Sequence, residues 1–319
     1  MRVLTGIQPS GKLHWGNYFG AMKSMFDLQA KGENFMFIAN FHAMTTVRDG
    51  AALREATKDV ALDYLACGLD PEKTVVYRQS DVPEVQELAW YLSCLTPMGL
   101  LERCHSYKDK MAHGFEATHG LFAYPVLMAA DILIMQSDLV PVGKDQKQHL
   151  EVTRDLCQKF NNAYGEVFKM PDAYIPETVA TIPGTDGQKM SKSYHNTIEL
   201  FEPSGSIKKK VMGIVTDSKT MEEPKEPEGN SIYELYKLFA TPEEAAEMAA
   251  SFRAGNYGYG HAKKALLEAY HRLFDPFRAR REELAKDPAT LEDILRAGAA
   301  KARAAAAPTM ARVREAVGL

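Results

Sequence analysis

No apolar run in this chain reaches the roughly 18 residues that a membrane-spanning helix needs, and its first residues show no apolar signal region. The expectation is a cytoplasmic protein with no membrane partner. Cysteine is scarce: Cys67, Cys94, Cys104 and Cys157 form no C-x-x-C pair and no metal-ligand spacing. That argues against a disulfide framework or a zinc site, and for reduced, mostly buried thiols. No internal repeat is present, which excludes a solenoid. An excess of positive charge is missing too: the formal net charge is -4, whereas proteins that grip phosphate backbones non-specifically are usually basic overall. Any nucleic-acid contact must then use local patches. What remains is a 319-residue chain with 45% hydrophobic and 25% charged residues, long enough for a sizeable core and two domains.

The most informative stretch is residues 6–20, GIQPSGKLHWGNYFG. An apolar opening run, MRVLT, leads into a turn at Pro9, Ser10 and Gly11, and a helical pattern begins at about Asn17. Strand, turn and helix start put His14, Gly16 and Asn17 in the crevice beyond a strand's carboxyl end, where ligands of α/β proteins sit and where free helix N–H groups attract phosphate. Gly16 has no Cβ, so a flat base could lie on the backbone, and His14 and Asn17 can donate hydrogen bonds to phosphate oxygens. The same residues also fit ordinary turn and cap positions. A second stretch, residues 184–196, reads GTDGQKMSKSYHN. Its Lys189 and Lys192, in a loop opened by Gly184 and Gly187, could bring two mobile charges to a polyphosphate; alone, they would read as a solvated surface.

Together, the H-x-G-N at 14–17 and the KMSKS at 189–193 resemble the two signatures of class I aminoacyl-tRNA synthetases. GIQPSG before the first signature, MAADIL at 128–133 and VPVGKDQKQHLEVTRDL at 140–156 narrow the resemblance to the bacterial tryptophanyl-tRNA synthetase family. It runs from residue 3 to about 218 and is thinner beyond. The fold expected is a Rossmann-type doubly wound parallel sheet over residues 1–198, followed by an α-helical anticodon-binding domain over 199–319 whose last helix packs back on the first domain. The resemblance implies that Gln8, Pro9, Ser10, His14, Gly16, Asn17, Gly143, Lys144, Asp145, Ile182, Lys189, Met190, Ser191, Lys192 and Ser193 bind ATP. It implies that Asp131, Gln146, Tyr124, Met128, His42, Gln8, Val140 and Val142 line a tryptophan pocket. The partners expected are L-tryptophan, ATP with Mg²⁺, tRNA(Trp) and a second copy of the chain.

Taken in order, residues 34–46 read as a buried strand ended by His42, which is either a core histidine or a pocket residue. Helical spacing follows over 51–67 and a third strand over Thr74–Arg78, giving a βαβαβ order. Residues 83–105 read as an irregular helix and 106–120 as a loop; in it Lys110 precedes Asp131 by the interval at which the family places a phosphate-contacting lysine. Asp131 is the one charge in LFAYPVLMAADILIM, 121–135. A carboxylate buried there needs a donor, either a structural one or, by resemblance, the indole N–H. Residues 140–142 read as a short strand, with a helix to about Tyr164 in which His149 and Arg154 have no assigned chemistry. Residues 177–182 read as the last strand, 216–230 as a mobile polar connector, and 231–239, 242–254, 260–286 and 290–305 as helices. Lys301, Arg303 and Arg312 in the Ala-rich end read as solvated.

Activation of an amino acid by ATP uses a carboxylate already ionised at neutral pH, so it requires no general base, in keeping with the lack of a catalytic dyad. Lys192, Lys189, Lys110, His14 and Asn17 are the catalytic candidates, acting on the charge that moves onto pyrophosphate. Trp15 is bulkier than the aliphatic residue usual in the signature and is expected to pack below the turn. Three alternatives stay open: a tyrosyl-tRNA synthetase, a small-molecule adenylyltransferase, and a non-catalytic paralogue.

Overall fold

The computed structural model describes residues 1–104, 114, 116–143, 146–174 and 182–319. Five parallel strands form one sheet in the order β3-β2-β1-β4-β5: β1 Arg2–Ile7, β2 Glu33–Ile38, β3 Thr74–Arg78, β4 Leu139–Pro141 and β5 Asp172–Tyr174. β1 is in register with β2 from Arg2↔Glu33 to Ile7↔Ile38. Five of the six β2 residues are buried, as expected of a parallel strand covered on both faces. The strand order reverses between β1 and β4, so the crevice beyond Ile7 and Pro141 is the topological switch point of the sheet.

The two faces are packed differently. On one, Met36, Ile38 and the helical segments Trp15–Asn17, Tyr18–Met22 and Lys23–Leu28 share a core with Ile232, Leu235 and Phe274 from the C-terminal helices. On the other, Leu4, Phe35 and Phe37 pack with Val126, Ala129 and Leu133 of the helix His119–Ile134, with Leu156 and with Ala302 and Met310. The helix expected from about Asn17 begins at Trp15, one π-turn included.

Several expectations change on contact with the fold. The apolar run from residue 34 does not continue as a strand to Thr46: β2 stops at Ile38 and a short helix, Asn40–Ala43, carries His42. The irregular helix of 83–105 is two helices, Glu84–Leu95 and Met98–Glu102, broken before Pro97, because the residue before proline is pushed out of the helical region. The expected strand at 177–182 lies outside the described residues but for Ile182. Within the connector at 216–230, Lys225 is 2% exposed and donates to the carbonyls of Thr220 (2.6 Å) and Glu223 (2.9 Å). Lys263 likewise caps the end of the Ser204–Met212 helix through the carbonyls of Met212 (2.9 Å) and Ile214 (2.7 Å).

The last helix runs Pro288–Val317, past the expected end near 305 and through Pro308. Tertiary packing overrides the proline: Ala302, Ala306, Met310 and Val313 are all buried. Its small residues let it press on the edge strand β3, where a Cβ added to Gly298 would overlap the carbonyl oxygen of Val76 and stand 2.7 Å from its carbonyl carbon. Arg78 clasps Glu292 with two bonds (2.9 and 2.7 Å), and Arg314 clasps Glu87 (2.7 and 2.6 Å). Arg303, read as solvated, pairs with Glu84 (2.9 and 2.6 Å); Lys301 and Arg312 are exposed. Gly298→Val is therefore expected to destabilise the fold by about 3 kcal/mol through overpacking, seen as a lower urea midpoint. An unchanged midpoint would mean that this helix is not pressed against β3.

Candidate active site

At the end of β1 the chain turns through Gln8, Pro9, Ser10 and Gly11, with Gly11 at φ +105°, a conformation that suits glycine. The Lys192 ammonium donates to the carbonyl of Ser10 at 3.2 Å and lies 3.7 Å from where a Gly11 Cβ would be. His14 then caps the helix start in an extended conformation, and the Asn17 side-chain oxygen accepts from the His14 N–H at 3.0 Å. His14 is 7% exposed, and its Nδ1 has no hydrogen-bond partner among the described residues. Burial, helped by the nearby Lys192 charge, lowers its pKa from 6.5 to about 4, so the ring is neutral at pH 7 and offers a hydrogen bond without a charge.

Gly16 is confined as well as flexible. A Cβ there would stand 3.0 Å from the His14 ring and 3.5 Å from Met190, and its N–H points at the Met190 sulfur at 3.3 Å. The two signature stretches are tied by backbone: Trp15 N–H to Ile198 O (2.9 Å) and Leu200 N–H to Leu13 O (2.9 Å). The lysine loop folds about Asn196, which is 2% exposed. Asn196 donates to Asp186 (2.7 Å) and to the Lys189 carbonyl (3.0 Å), and accepts from the Ser191 N–H (2.8 Å). Met190 closes onto the Ile182 carbonyl (2.8 Å). Ser191 caps the turn Lys192–Tyr194 by accepting from Ser193 N–H at 3.3 Å. Burial pulls the Lys192 pKa below its ordinary value, while Lys189 stays exposed. The Trp15 indole faces the C-terminal helices, stacked on Tyr270 at 5.3 Å and edge-on to Phe239 at 4.8 Å. Its bulk lies on the helical side of the turn.

Next to this turn lies a polar cluster in an apolar wall. Asp131, 3% exposed, receives the Gln79 amide on both oxygens (2.9 and 2.8 Å) and stands 2.9 Å from His42 Nε2. Burial raises the carboxyl's pKa, and the His42 and Gln79 bonds oppose the rise. Gln8 donates to the His42 carbonyl (3.3 Å), joining the cluster to the β1 turn. The Tyr124 hydroxyl meets His149 Nε2 at 2.7 Å, and His149 Nδ1 meets the Gln146 side-chain oxygen at 2.9 Å. Met128, one turn before Asp131, and Val142 are half-buried, and Val140 is buried at the end of the sheet. Such a site can take a flat apolar group, accept one hydrogen bond from it, and hold a polyphosphate alongside.

Residues 1–275 match the family model described as tRNA synthetases class I (W and Y). The chain is 55% identical over 319 residues to the tryptophan--tRNA ligase of Rhodopirellula baltica and 54% identical to that of Fusobacterium nucleatum; it is matched in full and covers 100% and 98% of those proteins. The chain belongs to the class I tRNA synthetases of the tryptophan and tyrosine type. Its fold superposes on the crystal structure of tryptophanyl-tRNA synthetase from Campylobacter jejuni complexed with ADP and tryptophan, with a TM-score of 0.95, 51% identity and full coverage of both chains.

Within this synthetase fold, Ser10 with Lys192, His14 with Asn17 and Gly16 with Met190 are bonded at or just after the β1 turn, Gln8 links that turn to His42, and His42, Tyr124, Asp131 and Gln146 belong to the two polar clusters. Pro9 is buried within the turn and Gly143 lies two residues beyond the end of β4. Lys110, Lys144 and Asp145 lie outside the described residues. Three residues of these clusters, Gln79, His149 and Asn196, were given no role by the sequence, although His149 and Asn196 lie inside the motif stretches. Gln79 sits one residue beyond β3, so the strand-end rule applied at β1 and β4 would have found it. His149 lies one turn after Gln146, and Asn196 three residues after KMSKS.

The neutral His14 makes a signed prediction. Its folded-state pKa is depressed, so between about 6.5 and about 4 the unfolded chain binds the extra proton and stability falls as pH falls through that window. With allowance for solvent reaching the ring, the synthetase should lose about 2 to 3 kcal/mol there through His14 alone. His14→Gln should flatten that part of the pH–stability curve. An identical acid slope in the variant would contradict the assignment.

Proposed function

We propose that this synthetase activates L-tryptophan with MgATP to tryptophanyl-adenylate and pyrophosphate, then transfers the tryptophanyl group to the 3′ end of tRNA(Trp). One observation carries the reading: a buried acceptor, Asp131, held by His42 and Gln79 inside an apolar wall that adjoins the paired signatures. The indole N–H is the donor it suits. A site built around one donor rejects an analogue without it by a factor on the order of 10⁴, because the acceptor is then left unpaired, and this excludes phenylalanine. Tyrosine is excluded by shape as well.

The tryptophan carboxylate attacks the α-phosphorus, one P–O bond forms as the bond to the β-phosphate oxygen breaks, and pyrophosphate leaves with the electron pair. The protein's part is alignment and neutralisation of the leaving charge. Lys192, whose ammonium donates to the Ser10 carbonyl, supplies charge at the β1 turn, with Lys189 and Lys110 as the further candidates; His14 and Asn17 donate neutral hydrogen bonds. Mg²⁺ is expected to arrive on the ATP phosphates. Gln146 and Tyr124 are the groups for the substrate's α-amino group, kept in line by His149. Gly143 and Asp145 fall to the ribose.

The same reading makes the C-terminal helices the part that reads the anticodon, the cytoplasm the place of action, and a homodimer the working unit. Support for the dimer comes from an open apolar patch. Trp90 and Met44, 68% and 58% exposed, line one cavity with Phe41 and Leu127, and apolar surface of this kind marks an interface.

Lys192→Ala should slow tryptophanyl-adenylate formation by about 10²-fold while tryptophan affinity changes little. Single-turnover kinetics with equilibrium binding would reveal an equal loss in both, the result that sinks the role. For Asp131→Asn we expect tryptophan activation to fall by about 10²-fold or more with ATP affinity nearly kept. Unchanged tryptophan kinetics would make Asp131 merely structural.

A further inference from the structure

Gln79 is the first residue beyond β3 and is fully buried. Both ends of its amide are used. The nitrogen donates to the two oxygens of Asp131 at 2.9 and 2.8 Å, and the oxygen accepts from the N–H of Phe41 (3.0 Å) and of His42 (3.4 Å). One side chain thus fixes the carboxylate and also the short helix Asn40–Ala43, whose His42 ring reaches the same carboxylate.

A carboxylate has about four lone-pair directions. Here one donor spans both oxygens and a second comes to Oδ2 at 2.9 Å. The pair of bonds from Gln79 stops the group from turning about its own axis, which a single contact from His42 could not do. An amide is also suited to this place because it orients the carboxylate without neutralising it. A lysine or arginine at position 79 would form an ion pair and weaken the acceptor offered to a ligand.

Resting on the reading of Asp131 as the indole acceptor, we propose that Gln79 is the positioning residue for substrate specificity: it clamps both Asp131 oxygens so that the remaining acceptor direction faces the ligand's N–H. It touches no substrate atom. The contribution is confined to ligands that carry a donor at that point.

The test compares tryptophan with its benzothiophene analogue, in which sulfur replaces the indole N–H, as substrates in ATP–pyrophosphate exchange. Wild type should prefer tryptophan by about 10²-fold or more in kcat/KM. In Gln79→Met and Gln79→Asn the preference should fall below about 10-fold, through a higher KM for tryptophan, with kcat and the analogue's kcat/KM each within about 3-fold of wild type. Gln79→Asn keeps a neutral amide one methylene too short to span both Asp131 oxygens while accepting from Phe41 and His42, so it carries the test if Gln79→Met fails to fold; an ATP-induced rise in Tm checks both. A preference unchanged in the folded variants overturns the role of Gln79 alone. A wild-type enzyme indifferent to the analogue overturns the Asp131 reading, and this inference with it.

Discussion

Two backbone hydrogen bonds, Trp15 to Ile198 and Leu200 to Leu13, hold the site together. They fasten stretches more than 180 residues apart in the chain, each without evident chemistry alone, to the mouth of the sheet's switch point. Asn196 sits between the rung and the loop and bonds to Asp186, Lys189 and Ser191 at once. Gly184 must be glycine because a Cβ there would overlap the Asn196 side chain. Lys192 therefore approaches Ser10 from a loop whose base is rigid, which is the form of preorganisation that charge stabilisation needs.

The rung also joins the β1 turn to the helices that follow it. Trp15, between His14 and Gly16, stacks on Tyr270, and Tyr270 in turn donates to the Leu200 carbonyl at 2.9 Å. Beside it, Lys12 pairs with Asp59, and Arg281 of the long helix Tyr259–Lys286 bonds both Asp59 and Asp63 at 2.6 Å. Burial raises the Asp63 pKa to about 6 despite the guanidinium, so this ion pair works near the limit at which desolvation cancels attraction.

How much of this was legible in the sequence depended on whether the deciding force was local. β3 was read with its observed bounds because its apolar run is closed by polar residues on both sides. The turn after β1 was read because glycine and proline punctuate it. The last helix was read only to about residue 305, whereas burial against β3 and the Glu84–Leu95 helix carries it through Pro308 to Val317. Lys225 looked like a solvated connector residue, and only the folded chain shows three carbonyls around its ammonium. Gln79 was missed for the same reason: its partners Asp131 and His42 are 52 and 37 residues away, and an amide alone carries no motif.

The most direct test of the central claim, that a tryptophan pocket with a buried carboxylate acceptor adjoins the paired-signature nucleotide site, is amino-acid-dependent ATP–pyrophosphate exchange by the purified protein with tryptophan, tyrosine and phenylalanine. Exchange supported by tryptophan alone is the predicted result. Exchange driven better by tyrosine would contradict the pocket assignment while leaving the nucleotide site in place, and exchange with none of the three would contradict both.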